Sequence, residues 1–164
     1  MDAEIQKALN EHIKEELNAE HHYLATAAYL DGLSLEGMSQ WMRAQAREEH
    51  DHAMRIFDFV LHRGGRVDLK GVDAPRAGFD SPLEAFQHAL AGERKVTAQI
   101  NELYELATSR KDHATRVMLE WFITEQVEEE DTMQTIVDQL EMAGSDSAAM
   151  LMMDQRLGER AAAP

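Results

Sequence analysis

Glu48-Glu49-His50-Asp51-His52 is the stretch from which the rest of the chain can be read. It sits in the middle of a segment, roughly residues 35–62, whose apolar residues recur at helical spacing. The stripe runs Met38, Met42, Ala46, then Glu49 and His52, then Ile56 and Val60, with Trp41 and Gln45 beside it. Glu49 and His52 therefore occupy core positions one turn apart, and an i, i+3 pair points both side chains at the same spot. An unpaired buried carboxylate costs at least several kcal/mol, so the fold has to supply it with a partner.

The other long segments repeat the pattern. Residues 3–30 carry the stripe Ile5, Leu9, His12, Glu16, Ala19, Tyr23, Ala27, Leu30, interrupted by Glu16. At about 1.5 Å per residue this helix is about 40 Å long, and Asp31-Gly32 marks its end. A short turn then makes residues 3–30 and 35–62 an antiparallel pair. Arg63-Gly64-Gly65 opens a connection of about 18 residues holding Gly71, Pro75 and Gly78, too long for a hairpin and suited to a crossover joining parallel helices. Ser81-Pro82-x-Glu84 starts a third helix, residues 82–109, with an N-cap serine, proline at N1 and glutamate at N3. Its stripe (Phe86, Leu90, Glu93, Val96, Ile100, Leu103 or Tyr104, Ala107) is broken by Glu93. A fourth helix, residues 112–142, has Gln126 and Glu129 between Leu119, Phe122 and Met133, Ile136, Leu140. Ser145-Asp146-Ser147 caps a short fifth helix, residues 146–157, with an apolar face of Ala148, Leu151 and Met152. It is too short to stand alone and must dock on the bundle or on another subunit. The tail GERAAAP reads as frayed. The expectation is an all-α four-helix bundle in one domain spanning residues 1–164.

Composition narrows the function. The 164 residues are 44% apolar, enough for one core, and the three prolines leave long uninterrupted runs for helices. No cysteine is present, which excludes disulfides, thiolate metal sites and a rubredoxin-like module. A net charge of −15 argues against nucleic acid as a partner and suits a protein that attracts cations. No signal-type apolar segment and no membrane-length apolar run occur, so a cytoplasmic protein without a membrane partner is expected.

In a bundle the four interruptions fall on one cross-section. Glu16, Glu49, Glu93 and Glu129 then bring about four negative charges into a low-dielectric layer, where they must either take up protons or meet cations. Two divalent cations cancel the layer. Carboxylates with one imidazole and no thiolate favour a redox-active pair of irons or manganese ions. The general pattern for such bundles is one Glu from each of two helices and Glu-x-x-His from each of the other two. Here the fourth helix has Gln126-x-x-Glu129 instead, so one metal is held by His52 and the other almost wholly by oxygen. An oxygen-only set holds iron more loosely, which favours passing iron on over keeping it.

The chain resembles the bacterial non-haem ferritins over nearly its whole length. The motifs that carry the resemblance are Glu16 with Tyr23 seven residues later, EEHDHAM at 48–54, Glu93 followed by QINEL at 99–103, WFITEQVEEE at 121–130, and the five-helix plan with its long crossover. The resemblance implies a ferroxidase centre with Glu16, Glu49 and His52 on one iron, Glu49, Glu93 and Glu129 on the other, and Glu49 bridging. It implies that Gln126 lies close to the centre and steers the oxygen species, that Tyr23 is a phenol beside the ligands, and that Glu48, Glu125 and Glu128 make a third, transient iron position. It further implies a 24-subunit shell storing ferric mineral, with Fe(II) and O2 or H2O2 as substrates and the fifth helix around four-fold axes. The haem-containing bacterioferritins carry a second Glu-x-x-His and a methionine after the bridging Glu; here His50 stands at that place, so no haem is expected.

Blander readings exist for each feature. Glu49 with His52 could be a buried structural pair, but interruptions at matching depth on every long helix argue against coincidence. Gln45 reads as a hydrogen-bonding neighbour or a partly exposed residue, His21 and His22 as surface residues, the 128–131 run as a solvated face, and the ten methionines as packing. The competing functions are a non-storing di-iron oxidase or peroxidase of rubrerythrin type, a DNA-protecting mini-ferritin, and a purely structural bundle.

Overall fold

The computed structural model describes residues 1–161, the last two by backbone alone. Among them five α-helices form: α1 (Ala3–Gly32), α2 (Glu36–His62), α3 (Pro82–Ser109), α4 (His113–Ala143) and α5 (Ser147–Ala161). None is long and apolar enough to cross a membrane. Local chemistry sets most ends. Asp2 accepts from the Glu4 and Ile5 amides ahead of α1, Ser81 from the Glu84 amide ahead of α3, and Asp112 from the Thr115 amide ahead of α4. Asp112 is thus the cap of α4 and not its first residue. In the α1–α2 turn the left-handed residue is Ser34 (φ 61°), although Gly32 looked like the stop.

The core falls into two apolar clusters. One joins Tyr23, Leu30, Met38, Met42, Phe86, Leu90, Met133 and Leu140, and the other joins Ile5, Leu9, Ile13, Ile56, Val60, Ile100, Leu119 and Phe122. Every long helix passes from one cluster to the other, and each does so across its polar interruption. The order in which they pass makes α2 and α3 parallel to each other and antiparallel to α1 and α4, which is what the long connection allows. That connection lies along α1 on a ladder of amide side chains. Asn10 donates to the Arg66 carbonyl (3.0 Å) and accepts from the Asp68 amide (2.7 Å), and Asn18 exchanges a similar pair with Asp73 (2.8 and 3.1 Å). Extended backbone that would otherwise leave polar groups unpaired against a helix is satisfied this way. Arg63 ties the end of α2 to Asp112 with two bonds (2.9 and 3.2 Å).

α5 differs from its expected form in two respects. It continues through Gly158 to Ala161, so only residues 162–164 of the expected frayed tail lie outside the described residues. Its buried face is Met150, Met153 and Leu157, while Leu151 and Met152 are 61% and 72% exposed. The stripe Ala148, Leu151, Met152 faces away from this chain's own bundle because backbone contact with α2, not side-chain hydrophobicity, sets the rotation of α5. Gly37 and Gly158 let α2 and α5 touch: a Cβ on Gly37 would sit 1.9 Å from the Asp154 carbonyl oxygen. Asp154 then reaches the N-terminus of α2, where its carboxylate accepts from the Met38 amide (2.8 Å). Leu35, the residue before α2, offers no side-chain cap, so α5 supplies it.

Gly37→Ala should cost about 1–3 kcal/mol by overpacking and release α5 to limited proteolysis. Gly32→Ala, where a Cβ meets nothing within 4 Å, should be neutral or slightly stabilising in the same thermal unfolding series.

Candidate metal centre

The layer between the apolar clusters holds Glu16 from α1, Glu49 and His52 from α2, Glu93 from α3, and Gln126 and Glu129 from α4, all buried. Each lies on the inward stripe of its helix, and the crossing of four stripes brings them together. Glu16, Glu49 and His52 come closest: one ligand atom from each lies within 4.8 Å of the others. His52 Nδ1 is 3.2 Å from Glu49 Oε2. The His52 ring is fixed edge-on against Trp121 and Phe122 at 5.4 and 5.7 Å, and the Arg55 guanidinium covers the far side of Trp121 at 3.8 Å.

Glu93 and Glu129 stand outside that trio and are engaged by neutral donors. The Tyr23 hydroxyl donates to Glu93 Oε1, and Gln126 Nε2 donates to Glu93 Oε2 (3.1 Å) and to the Glu93 carbonyl (3.2 Å). Gln45 donates to Glu129 Oε2 (2.9 Å), so of the two expected roles, hydrogen-bonding neighbour or partly exposed residue, it takes the first, and it is buried. Of the residues assigned to a third position, Glu48 and Glu128 are exposed and Glu125 is half-buried. Glu48 and Glu125 lie near enough to Glu129 to bear on its charge; Glu128 does not enter that set. His50 points outward and meets Glu20 at 3.2 Å across the α1–α2 surface.

His12 was missed as a functional residue. It is buried beneath Phe122, and its Nε2 lies 3.0 Å from Glu16 Oε1, out of line for a hydrogen bond. The available signal was its i, i+4 spacing from Glu16 on one stripe. Thr97, which accepts from Gln126 (3.3 Å) and donates to Glu130 (2.6 Å), gave no such signal.

The electrostatics are those of crowded carboxylates in a dry layer. Burial pushes Glu49 well above the usual carboxylate range, and the charges of Glu93 and Glu16 add to it. Glu129 is pushed up to about 8 by burial, then by Glu93 and Glu48. Burial also raises Glu93, against the donations of Tyr23 and Gln126. Glu16 goes the other way: burial opposes its charge, but His12 and His52 outweigh that and lower its pKa. Tyr23 is raised well above its ordinary value by burial and by Glu93, so it stays a donor. Both oxygens of Glu16 and Oε1 of Glu49 have no hydrogen-bond partner among the described residues. Buried acceptors without donors, converging with an imidazole, are the donor set of a borderline divalent cation such as Fe(II), Mn(II) or Zn(II), and the residues fit one.

A four-helix bundle with a crossover after its second helix and a carboxylate–imidazole layer at mid-height defines the di-metal carboxylate proteins. The comparisons place the chain within that class. Residues 6–143 match the family described as the ferritin-like domain. The bacterial non-heme ferritin of Staphylococcus haemolyticus is 40% identical over 154 residues, covering 94% of this chain and 93% of the relative. That of Staphylococcus epidermidis is 41% identical over 157 residues (96% and 95%). Among solved structures, an open pore ferritin from the hyperthermophilic archaeon Archaeoglobus fulgidus superposes with a TM-score of 0.96 at 44% identity, covering 96% of this chain and 98% of that one. A humanized archaeal ferritin gives 0.98 at 42%, covering 100% and 99%. The chain belongs to the ferritin family, and these likenesses favour iron storage over a non-storing oxidase of rubrerythrin type.

The raised carboxylates carry a sign. A carboxyl whose folded pKa lies above its unfolded value stabilises the protein below the unfolded pKa and loses that contribution as pH rises through the folded one. For Glu129 the window runs from 4.5 to about 8. Metal-free protein should therefore lose thermal stability across that window, and a divalent cation should restore it. Cation binding should also release protons, about two per chain near neutral pH, measured by calorimetry in buffers of different ionisation enthalpy. Buffer-independent heats would exclude protonated carboxyls in the layer.

Proposed function

We propose that the chain is a ferroxidase and iron-storage subunit. It binds two ferrous ions in the polar layer and oxidises them with dioxygen. The observation that carries this reading is the convergence with His52 of buried Glu16 and Glu49, three of whose four carboxylate oxygens accept no hydrogen bond among the described residues. In this reading Glu16, Glu49 and His52 hold one ferrous ion. Glu49, Glu93 and Glu129 hold the second, with Glu49 shared. Tyr23 and Gln126 orient Glu93, and Gln126 stands where the oxidant arrives. Glu48, Glu125 and Glu128 form a transient third position on the way out.

The electron balance is simple. Two ferrous ions give one electron each to O2, which takes two protons and leaves as H2O2; H2O2 can itself serve as oxidant for a further pair. Because the ligating carboxylates give up their protons when the ferrous ions bind, the two protons come from water. Oxidation adds two positive charges to a layer whose ligands already balance a divalent pair; hydroxide drawn from water offsets them, and the ferric ions move on to the cavity. They then hydrolyse to mineral in the cavity of a homo-oligomeric shell, which the kinship with ferritins supports as a 24-mer. The whole chain, residues 1–164, acts as one ferritin-like domain, in the cytoplasm, without haem, nucleic acid or membrane as partner.

Size-exclusion chromatography after aerobic loading with several hundred ferrous ions per shell tests this. Iron co-eluting with protein in a shell-sized peak without a haem band is the expected result. Protein eluting as monomer or dimer with about two irons per chain would leave a small di-iron enzyme of rubrerythrin type instead. Glu93→Ala should weaken the second ferrous position more than the first in an anaerobic titration. Equal loss at both would overturn the ligand assignment.

A further inference from the structure

A cavity of about 340 Å³ opens between α1, α3 and the long connection, and Tyr23 and Glu93 form its floor. Its walls carry two histidines that the metal centre does not use. His22 comes from α1 and His88 from α3, and their rings lie 5.6 Å apart, centroid to centroid, at 51°. An ion bonded to two imidazole nitrogens at about 2.1 Å in a tetrahedral arrangement holds the ring centroids about 5 Å apart. His22 Nδ1 is buried and has no hydrogen-bond partner among the described residues. His22, expected at the surface, is half-buried because the connection and α3 fold over it. Two carboxylates line the same cavity: Glu15, and Asp73 from the connection. Both are paired with lysines, Glu15 with Lys95 (2.6 Å), which also lines the cavity, and Asp73 with Lys14 (2.9 Å), while Arg76 is held by Glu84 (2.8 Å). One turn along α3 from His88, Gly92 leaves the wall uncrowded, since a Cβ there would meet nothing within 4 Å.

We propose that His22 and His88 form a second cation site, taking a borderline divalent transition metal such as Fe(II), Zn(II) or Co(II), at the mouth of a cavity that ends on Tyr23 and Glu93. Burial lowers the pKa of both imidazoles, and their mutual proximity does so further for His22, so they meet a cation in the neutral, ligating form. Glu15 and Asp73 neutralise Lys95 and Lys14, so those lysines oppose the ion with no net positive charge. Because Glu93 belongs to both the cavity floor and the polar layer, an ion held here stands directly behind the metal centre. Its use as a position from which ferrous iron is supplied rests on the ferroxidase reading; its binding of a cation does not.

Zinc, which is redox-inert, separates the two. Crystals of the assembled wild-type protein soaked in Zn(II) should show an anomalous peak between His22 and His88 in addition to those of the polar layer. The double variant His22→Ala/His88→Ala should bind one Zn(II) fewer per chain by calorimetry and keep the assembly size of wild type. No peak at the histidine pair, or the same stoichiometry in both proteins, would overturn the site. Ferrous oxidation by the double variant should slow at limiting iron and recover at saturating iron. If the site binds Zn(II) but the limiting-iron rate is unchanged, the supply role falls. If wild type itself oxidises no iron, the ferroxidase reading falls and the cation site stands on its zinc occupancy.

Discussion

Carboxylates at close quarters in a dry core repel, and everything else in this structure accommodates that repulsion. Glu16, Glu49, Glu93 and Glu129 share one layer from which water is excluded. Without a cation, burial and mutual repulsion raise the pKa values of Glu49, Glu93 and Glu129, while that of Glu16 is lowered beside two imidazoles. Such an arrangement is costly compared with an apolar layer of equal volume, and a cation bound among these carboxylates offsets that cost. The asymmetry follows from the helices themselves, because α2 contributes an imidazole and α4 an amide.

The bundle tolerates this cost because stability is gathered on either side of it. Two apolar clusters clamp the ends of all four long helices, so the polar layer interrupts the core without dividing the fold. The connection between α2 and α3 has few apolar anchors of its own; it is held by Asn10, which donates to the Arg66 carbonyl, and by Asn18, which accepts from the Asp73 amide. α5 closes one end, where its Asp154 carboxylate accepts from the Met38 amide at a helix start that lacks a cap of its own. Each of these contacts satisfies a backbone polar group far from it in sequence, which is where small energies decide orientation.

Much of the site was legible because its residues break a pattern. Glu49 and His52 stand out on an apolar stripe, as do Glu16, Glu93, Gln126 and Glu129, and a charged residue at a core position announces a function. Residues that support the site without breaking a stripe were harder to see. His12 sits on the same face as Glu16 yet reads as an ordinary inward histidine, and Thr97 reads as a polar surface residue. His22 was placed at the surface because the connection that covers it is aperiodic and carries no sign of where it lies.

Periodicity, capping residues and chain length by themselves determined the helices, the crossover and the polar layer at mid-height. These are local or one-dimensional properties: a stripe is inward wherever its period matches the helix, and four stripes of similar length meet at similar depth. Tertiary structure alone decided which face α5 buries, which donors hold Glu93 and Glu129, and that His22 meets His88. Those outcomes depend on the rotation and contact distance of elements distant in the chain. At the α2–α5 crossing it is two glycines, Gly37 and Gly158, whose missing side chains set that distance, and an absence of atoms has no hydrophobic period by which it can be read.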